Sequence, residues 1–131
     1  MSLKLLATLL LMLVAAAAFP ESKSAQDNPQ FLYRLTPARA DMLKTGLTPQ
    51  EQAITAQHFD YLKDLHARGI LILAGRTLNT DESSFGIVVI RAESEDAARR
   101  IMNADPGVVK GLQRATLFPY RVALLEGRPS E

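Results

Sequence analysis

The sequence predicts an α+β domain: a four-stranded antiparallel sheet with two helices on one face. Three observations predict it. Two helical stretches open with N-cap signals, at Thr48 and Ser94. Apolar runs with strand character precede, separate and follow them. A polar loop splits the run between the helices in two, so the element order reads β-α-β-β-α-β, the ferredoxin-like arrangement.

The chain has 131 residues, 47% of them apolar and 22% charged. That is one domain's worth of ordinary globular composition and excludes a disordered chain. The formal net charge is +1, and Lys4 supplies it. Without the first residues the domain is near neutral, which gives it no electrostatic footprint for nucleic acid. There is no cysteine. Disulfides, thiolate metal sites, a catalytic thiol and a lipid anchor on cysteine are thereby excluded. Export is not, because a domain with an adequate core needs no covalent staples.

The N-terminus reads as an export signal. One cation, Lys4, precedes an uncharged run of 15 residues from Leu5 to Phe19, closed by Pro20. A spanning helix needs about 20 apolar residues, whereas this length suits a signal-peptide core. Ala16 and Ala18 offer a cut before Phe19, and Ser22 and Ser24 a later one. We expect residues 1–18 to be a signal peptide, with cleavage as late as 24. A flexible leader (19–29), the domain (30–125) and a polar tail (126–131) follow. The mature protein is expected to be periplasmic or secreted, touching membrane only through the signal. The alternative is an uncleaved N-terminal anchor.

Within the domain, Gln30 to Leu35 alternates as a strand, with Phe31, Tyr33 and Leu35 on one face,. Thr36 to Gly46 is expected to be a loop carrying a short helical turn around Ala38 to Leu43. Thr48, Pro49 and Glu51 form a capping-box start for a helix reaching Arg68, where Gly69 ends it,. Ile54, Tyr61, Leu62 and Leu65 define its buried stripe. Ile70 to Ala74 and Phe85 to Ala92 are apolar strands joined as a hairpin by the polar stretch Arg76 to Ser84. Ser94 caps the second helix, with Glu95 and Asp96 in its first turn and Ala97, Ala98, Ile101 and Met102 facing inward,. Pro106 limits that helix. Gly107 to Gly111 is expected to be a turn, and Leu112 to Leu125 to hold a last strand with a bend at Pro119. One face of such a sheet is left uncovered, and a second copy is expected to cover it as a homodimer.

His58 is the most informative side chain. At about 100° per residue it falls in the middle of the helix's apolar stripe. A polar ring there is either a core histidine bonded to a backbone carbonyl or a pocket residue able to move a proton near neutral pH. His66 lies off the stripe and reads as a surface residue, so the two histidines make a poor metal pattern. Asp105 extends the inner side of the second helix just before Pro106. It is either a helix terminator or a carboxylate that orients a histidine. No phosphate loop, nucleophile elbow or zinc-protease motif is present. Ser83 and Ser84 read as hydrated loop residues.

The run His58-Phe59-Asp60-Tyr61-Leu62-Lys63-Asp64-Leu65, then Gly69-Ile70-Leu71 and Ala74-Gly75, resembles the YCII-like domain family. Ser94 to Ala98, Asp105-Pro106, Gly111 and Phe118-Pro119-Tyr120 fit the same pattern. The resemblance spans Phe31 to Leu125. It implies a dimeric α+β barrel and a site built on His58 and Asp105. It also points to relatives among small enzymes acting on ring compounds, such as dehydrochlorinases and muconolactone-isomerase-like proteins. Arg76 stands where the family usually has proline, which places a cation near the expected pocket mouth.

The chain is therefore expected to be an exported, cofactor-independent small-molecule enzyme of lyase or isomerase type. His58 would act as base or acid, Asp105 would orient it, and Arg34 or Arg76 would hold an anionic group of the ligand. No metal or other cofactor is expected, and no axial-ligand pattern supports haem. The alternative is a non-catalytic ligand-binding protein of the same fold.

Overall fold

The computed structural model describes residues 24–127. The expected signal peptide at 1–18 lies outside these residues, as does the end of the polar tail. The sheet contains β1 (Gln30–Pro37), β2 (Leu71–Arg76), β3 (Gly86–Arg91) and β4 (Gln113–Tyr120). Their order is β2-β3-β1-β4, and every neighbouring pair is antiparallel. The helices are α1 (Met42–Thr45), α2 (Pro49–Ala67), α3 (Glu95–Ala104) and α4 (Pro106–Val109). This is the expected ferredoxin-like α+β fold, with two short helices added.

Strand alternation sets the core. In β1, Phe31, Tyr33 and Leu35 are buried and Arg34 is exposed. The first three meet Leu62 and Leu65 of α2, Ala98 and Met102 of α3, and Val88 and Ile90 of β3. The capping box at the start of α2 is present: the Thr48 hydroxyl accepts from the Glu51 N–H, and the Glu51 carboxylate accepts from the Thr48 N–H. Gly69 (φ 71°) follows α2 in the left-handed region that glycine adopts without strain,. Ser94 caps α3 through the Ala97 N–H. Ile54 departs from the expected single stripe. It packs with Met42 and Leu112 in a separate small cluster.

Several boundaries move. β1 continues past Leu35 to Pro37 because β4 still pairs with it there, Thr36 opposite Arg114 and Pro37 opposite Gln113. β2 continues through Gly75 and Arg76, opposite Ile87 and Gly86, after a register shift between Leu71 and Leu73. β4 runs through Pro119 with no break, which an edge strand tolerates,. The helical turn falls at Met42–Thr45 rather than Ala38 to Leu43. Part of the expected flexible leader is ordered: Ala25–Asp27 form a 3-10 turn, and the Pro29 carbonyl accepts from the Ala92 N–H.

The segment before α2 is held by one side chain. Arg39 donates to Glu51 on α2, to Asp41 and Thr45, and to the Gly46 carbonyl. The sheet face away from the helices carries Leu73, Phe118 and Tyr120, each more than 40% exposed. Leu32 lies between Val89 and Phe118 on that face. Among the described residues no helix is long and apolar enough to cross a membrane.

Candidate functional site

The phase of α2 is set by its Thr48-Pro49 start, and His58 therefore sits one turn after Ile54 and one turn before Leu62, on the buried side. The position of Asp105 is set by Pro106. Proline disfavours helix for the residue before it, so Asp105 is extended (φ −60°, ψ 122°) and ends α3. It also starts α4, with Pro106 in the first helical position, where a missing N–H costs nothing,. The expected turn from Gly107 to Gly111 is thus a short helix capped by Asp105. A helix terminator alone would leave this side chain facing water, yet it is completely buried.

Three donors converge on that carboxylate. His58 Nδ1 donates to Oδ1 at 2.7 Å, and the Gly107 N–H donates to the same oxygen at 2.9 Å. The Tyr33 hydroxyl donates to Oδ2 at 3.0 Å. A carboxylate only accepts, so the proton of the neutral imidazole is on Nδ1 and the lone pair on Nε2. Nε2 has no hydrogen-bond partner among the described residues. His58 is partly buried, its side chain 14% exposed. It bonds a carboxylate rather than the backbone carbonyl that a purely structural core histidine would use.

Electrostatics agree with a negative centre. Burial, then the adjacent Asp105 charge and hydrogen bond, push the Tyr33 phenol far above the ordinary tyrosine value. Burial first, and then Asp105, also raises Tyr61, whose hydroxyl donates to the Ile101 carbonyl and ties α2 to α3.

Sequence reading missed three participants. Tyr33 was placed on the correct strand face but not at the site, although a hydroxyl among Phe31 and Leu35 is a signal that a partner exists. Gly107 leaves room for a close approach of three side chains. A Cβ there would stand 2.8 Å from Gln113 Oε1, 3.3 Å from Asp105 Oδ1 and 3.4 Å from His58 Nδ1. Gln113 itself, on β4, carried no sequence signal. Its Oε1 is buried without a partner.

A cleft of about 460 Å³ lies beside this cluster. Leu35, Met42, Leu47, Phe85 and Leu112 give it apolar walls, and Thr55, Arg76 and Gln113 add polar groups. Gln113 lines the cleft, and its Oε1 lies against Gly107 beside the His58–Asp105 pair. His58 itself is not in the cleft wall. Ser84 is buried at the cleft edge, its hydroxyl bonded to the Asn79 carbonyl, rather than hydrated.

The structure separates the two arginines. Arg76 borders the cleft. Arg34 points to the opposite sheet face, its guanidinium 6.0 Å from the Phe118 ring centre. Strand alternation forces this, because Tyr33 takes the helix side. Arg34 thus does not join the cleft of its own chain. His66 is exposed on α2. Among the described residues no three His, Cys, Asp or Glu side chains are grouped to hold a metal ion.

The sequence pattern of the YCII-related domain matches residues 25–120. The chain belongs to that family. Among solved structures it is similar to 5-chloro-2-hydroxyhydroquinone dehydrochlorinase (TftG) from Burkholderia phenoliruptrix AC1100, determined in complex with 2,5-dihydroxybenzoquinone. The identity is 22%, the TM-score is 0.53, and the match covers 70% of this chain and 93% of that one. SnoaB, a cofactor-independent oxygenase from Streptomyces nogalater, matches with 18% identity and a TM-score of 0.40, over 76% of this chain and 96% of that one. A search of curated protein sequences returns no match. The likeness to the dehydrochlorinase supports the fold, and the YCII-related match supplies the family.

Proposed function

We propose that this YCII-related domain is a cofactor-independent enzyme for a small ring compound, of lyase or isomerase type. The observation that carries the reading is the His58–Asp105 pair, fixed by Tyr33 and Gly107. Nε2 of His58 takes a proton from the substrate. Asp105 keeps the other ring proton on Nδ1 and stabilises the imidazolium that forms. Return of the proton from Nε2 to another atom completes an isomerisation, and departure of an anionic leaving group completes an elimination. The apolar cleft walls suit a ring, and Arg76 suits an anionic substituent. The likeness to a dehydrochlorinase solved with a dihydroxybenzoquinone supports a ring compound as the ligand.

A non-catalytic binding role is the second reading, and one observation favours it: the cleft wall does not include His58. Both readings place the domain outside the cytoplasm after signal cleavage, or tethered by its N-terminus. Both pair two copies through the open sheet face, where Leu73, Phe118 and Tyr120 are exposed.

The deciding experiment is a thermal-shift screen of hydroxylated quinones and aromatic acids against wild type and His58→Ala, followed by product analysis of each hit. A compound that wild type converts and His58→Ala binds without converting supports the enzyme. A compound that both bind equally, and neither converts, supports the binding protein.

A further inference from the structure

We propose that Gly86 and Arg76 together select the ligand: a small aromatic monoacid whose ring lies over Gly86 and whose acid group meets Arg76. The proposal deepens the reading, common to the enzyme and the binding protein, that the cleft holds the ligand. Three residues form one row across the end of the sheet. Arg76 on β2 stands opposite Gly86 on β3, and Gly86 stands opposite Leu35 on β1. All three line the cleft. Residues directly opposite each other in antiparallel strands send their side chains to the same face. The middle of this row has no side chain, so a notch opens between an arginine and a leucine, about 10 Å wide at the backbone.

The fold does not demand glycine there. The Gly86 backbone is outside the left-handed region. A Cβ would stand 3.4 Å from the Gly75 carbonyl oxygen, 3.7 Å from Leu35 Cβ and 3.8 Å from Arg76 Cβ, all ordinary contacts. These atoms belong to the flanking strands, and the notch opens to the cleft instead. Glycine weakens a strand, and a paired strand position that keeps one often marks the close approach of a ligand.

Charge supplies the other half of the selection. Arg76 is the only charged side chain among the described residues lining the cleft, whose walls include Met42, Leu47, Leu78 and Phe85. It makes no hydrogen bond or ion pair with any described residue. A free guanidinium beside apolar walls favours an anion attached directly to an apolar body, and its fork matches a carboxylate. A flat ring fits a notch left by one missing side chain.

The test uses benzoate and its neutral counterpart benzamide as probes, with wild type, Arg76→Gln, Gly86→Ala and Gly86→Val. Calorimetry gives each affinity, and thermal melting gives each stability. Wild type should bind benzoate about tenfold more tightly than benzamide, the scale of one charged hydrogen bond. Arg76→Gln should bind the two probes equally. Gly86→Val should melt at or above the wild-type temperature, because a β-branched residue suits a strand, and should weaken both probes at least tenfold. Gly86→Ala should weaken both by a smaller factor, and it decides the matter if the valine variant melts early. Unchanged binding by the Gly86 variants overturns the assignment of the notch and leaves the cleft reading standing. An Arg76→Gln protein that still prefers benzoate overturns the acid end. If wild type binds neither probe, the cleft reading fails and this assignment falls with it.

Discussion

Replacing Tyr33 by Phe tests whether the buried cluster is a held device or an incidental contact. The substitution keeps the ring, so no cavity forms in the core. It removes one hydroxyl, the only described donor to Asp105 Oδ2. That oxygen belongs to a fully buried carboxylate, so water cannot replace the bond at no cost. A hydrogen bond to a charged group contributes about 1.5–3 kcal/mol, and full burial favours the upper half of that range. For a domain near 100 residues this lowers Tm by roughly 10–20 °C. Urea unfolding should show the same loss with an unchanged m-value, because the exposed area is unaltered. The alkaline limb adds an independent check. The Tyr33 phenol is raised in the folded state, so its contribution is complete below about pH 10, the unfolded tyrosine value, and is lost as pH rises beyond it,. Tyr33→Phe should lack that alkaline component. A loss below about 0.5 kcal/mol, within the range of a neutral surface change, would refute the claim that Tyr33 holds Asp105.

Gly107→Ala places a Cβ 2.8 Å from Gln113 Oε1, the free end of a flexible side chain that can swing aside, so denaturation should show a loss no larger than about 1 kcal/mol, the low end of overpacking,. The His58 ring resonances should shift in the same variant, because the added carbon also approaches Nδ1 and Asp105. Glu51 is held at about 2, chiefly by the hydrogen bond from Arg39. Its folded-state value is depressed, so its contribution is present above the unfolded value near 4.5 and is lost as pH falls towards 2,. Glu51→Gln should therefore flatten the acid limb of the stability profile over that interval while keeping a capping-box side chain. Thr48→Ala removes the N-cap of α2 and should cost about 1 kcal/mol in urea denaturation,.

Local rules accounted for most of the fold. Thr48, Pro49 and Glu51 start α2 through bonds made within a few residues, so sequence alone places that helix and its phase. The phase puts His58 among Ile54, Leu62 and Leu65. Period-two alternation likewise placed Tyr33 on the inner face of β1. Strand ends were less legible. The end of β1 at Pro37 and of β2 at Arg76 depends on where β4 and β3 continue to pair, which is a property of neighbouring strands. Asp105 shows the same division. The Asp-Pro pair announced the end of α3, but its second role as cap of α4 needed the chain beyond it.

The sequence by itself determined the α+β class, the two main helices with their caps, and the placement of His58 on a buried helix face. It did so because capping, periodicity and proline geometry act within a few residues. Only the tertiary structure decided what His58 meets. The bonds of Tyr33 and His58 to Asp105 join residues 72 and 47 positions apart. Gln113 reaches the same corner only because β4 pairs beside β1, opposite Pro37. Sheet pairing and helix packing fix such contacts, and no local spacing encodes them.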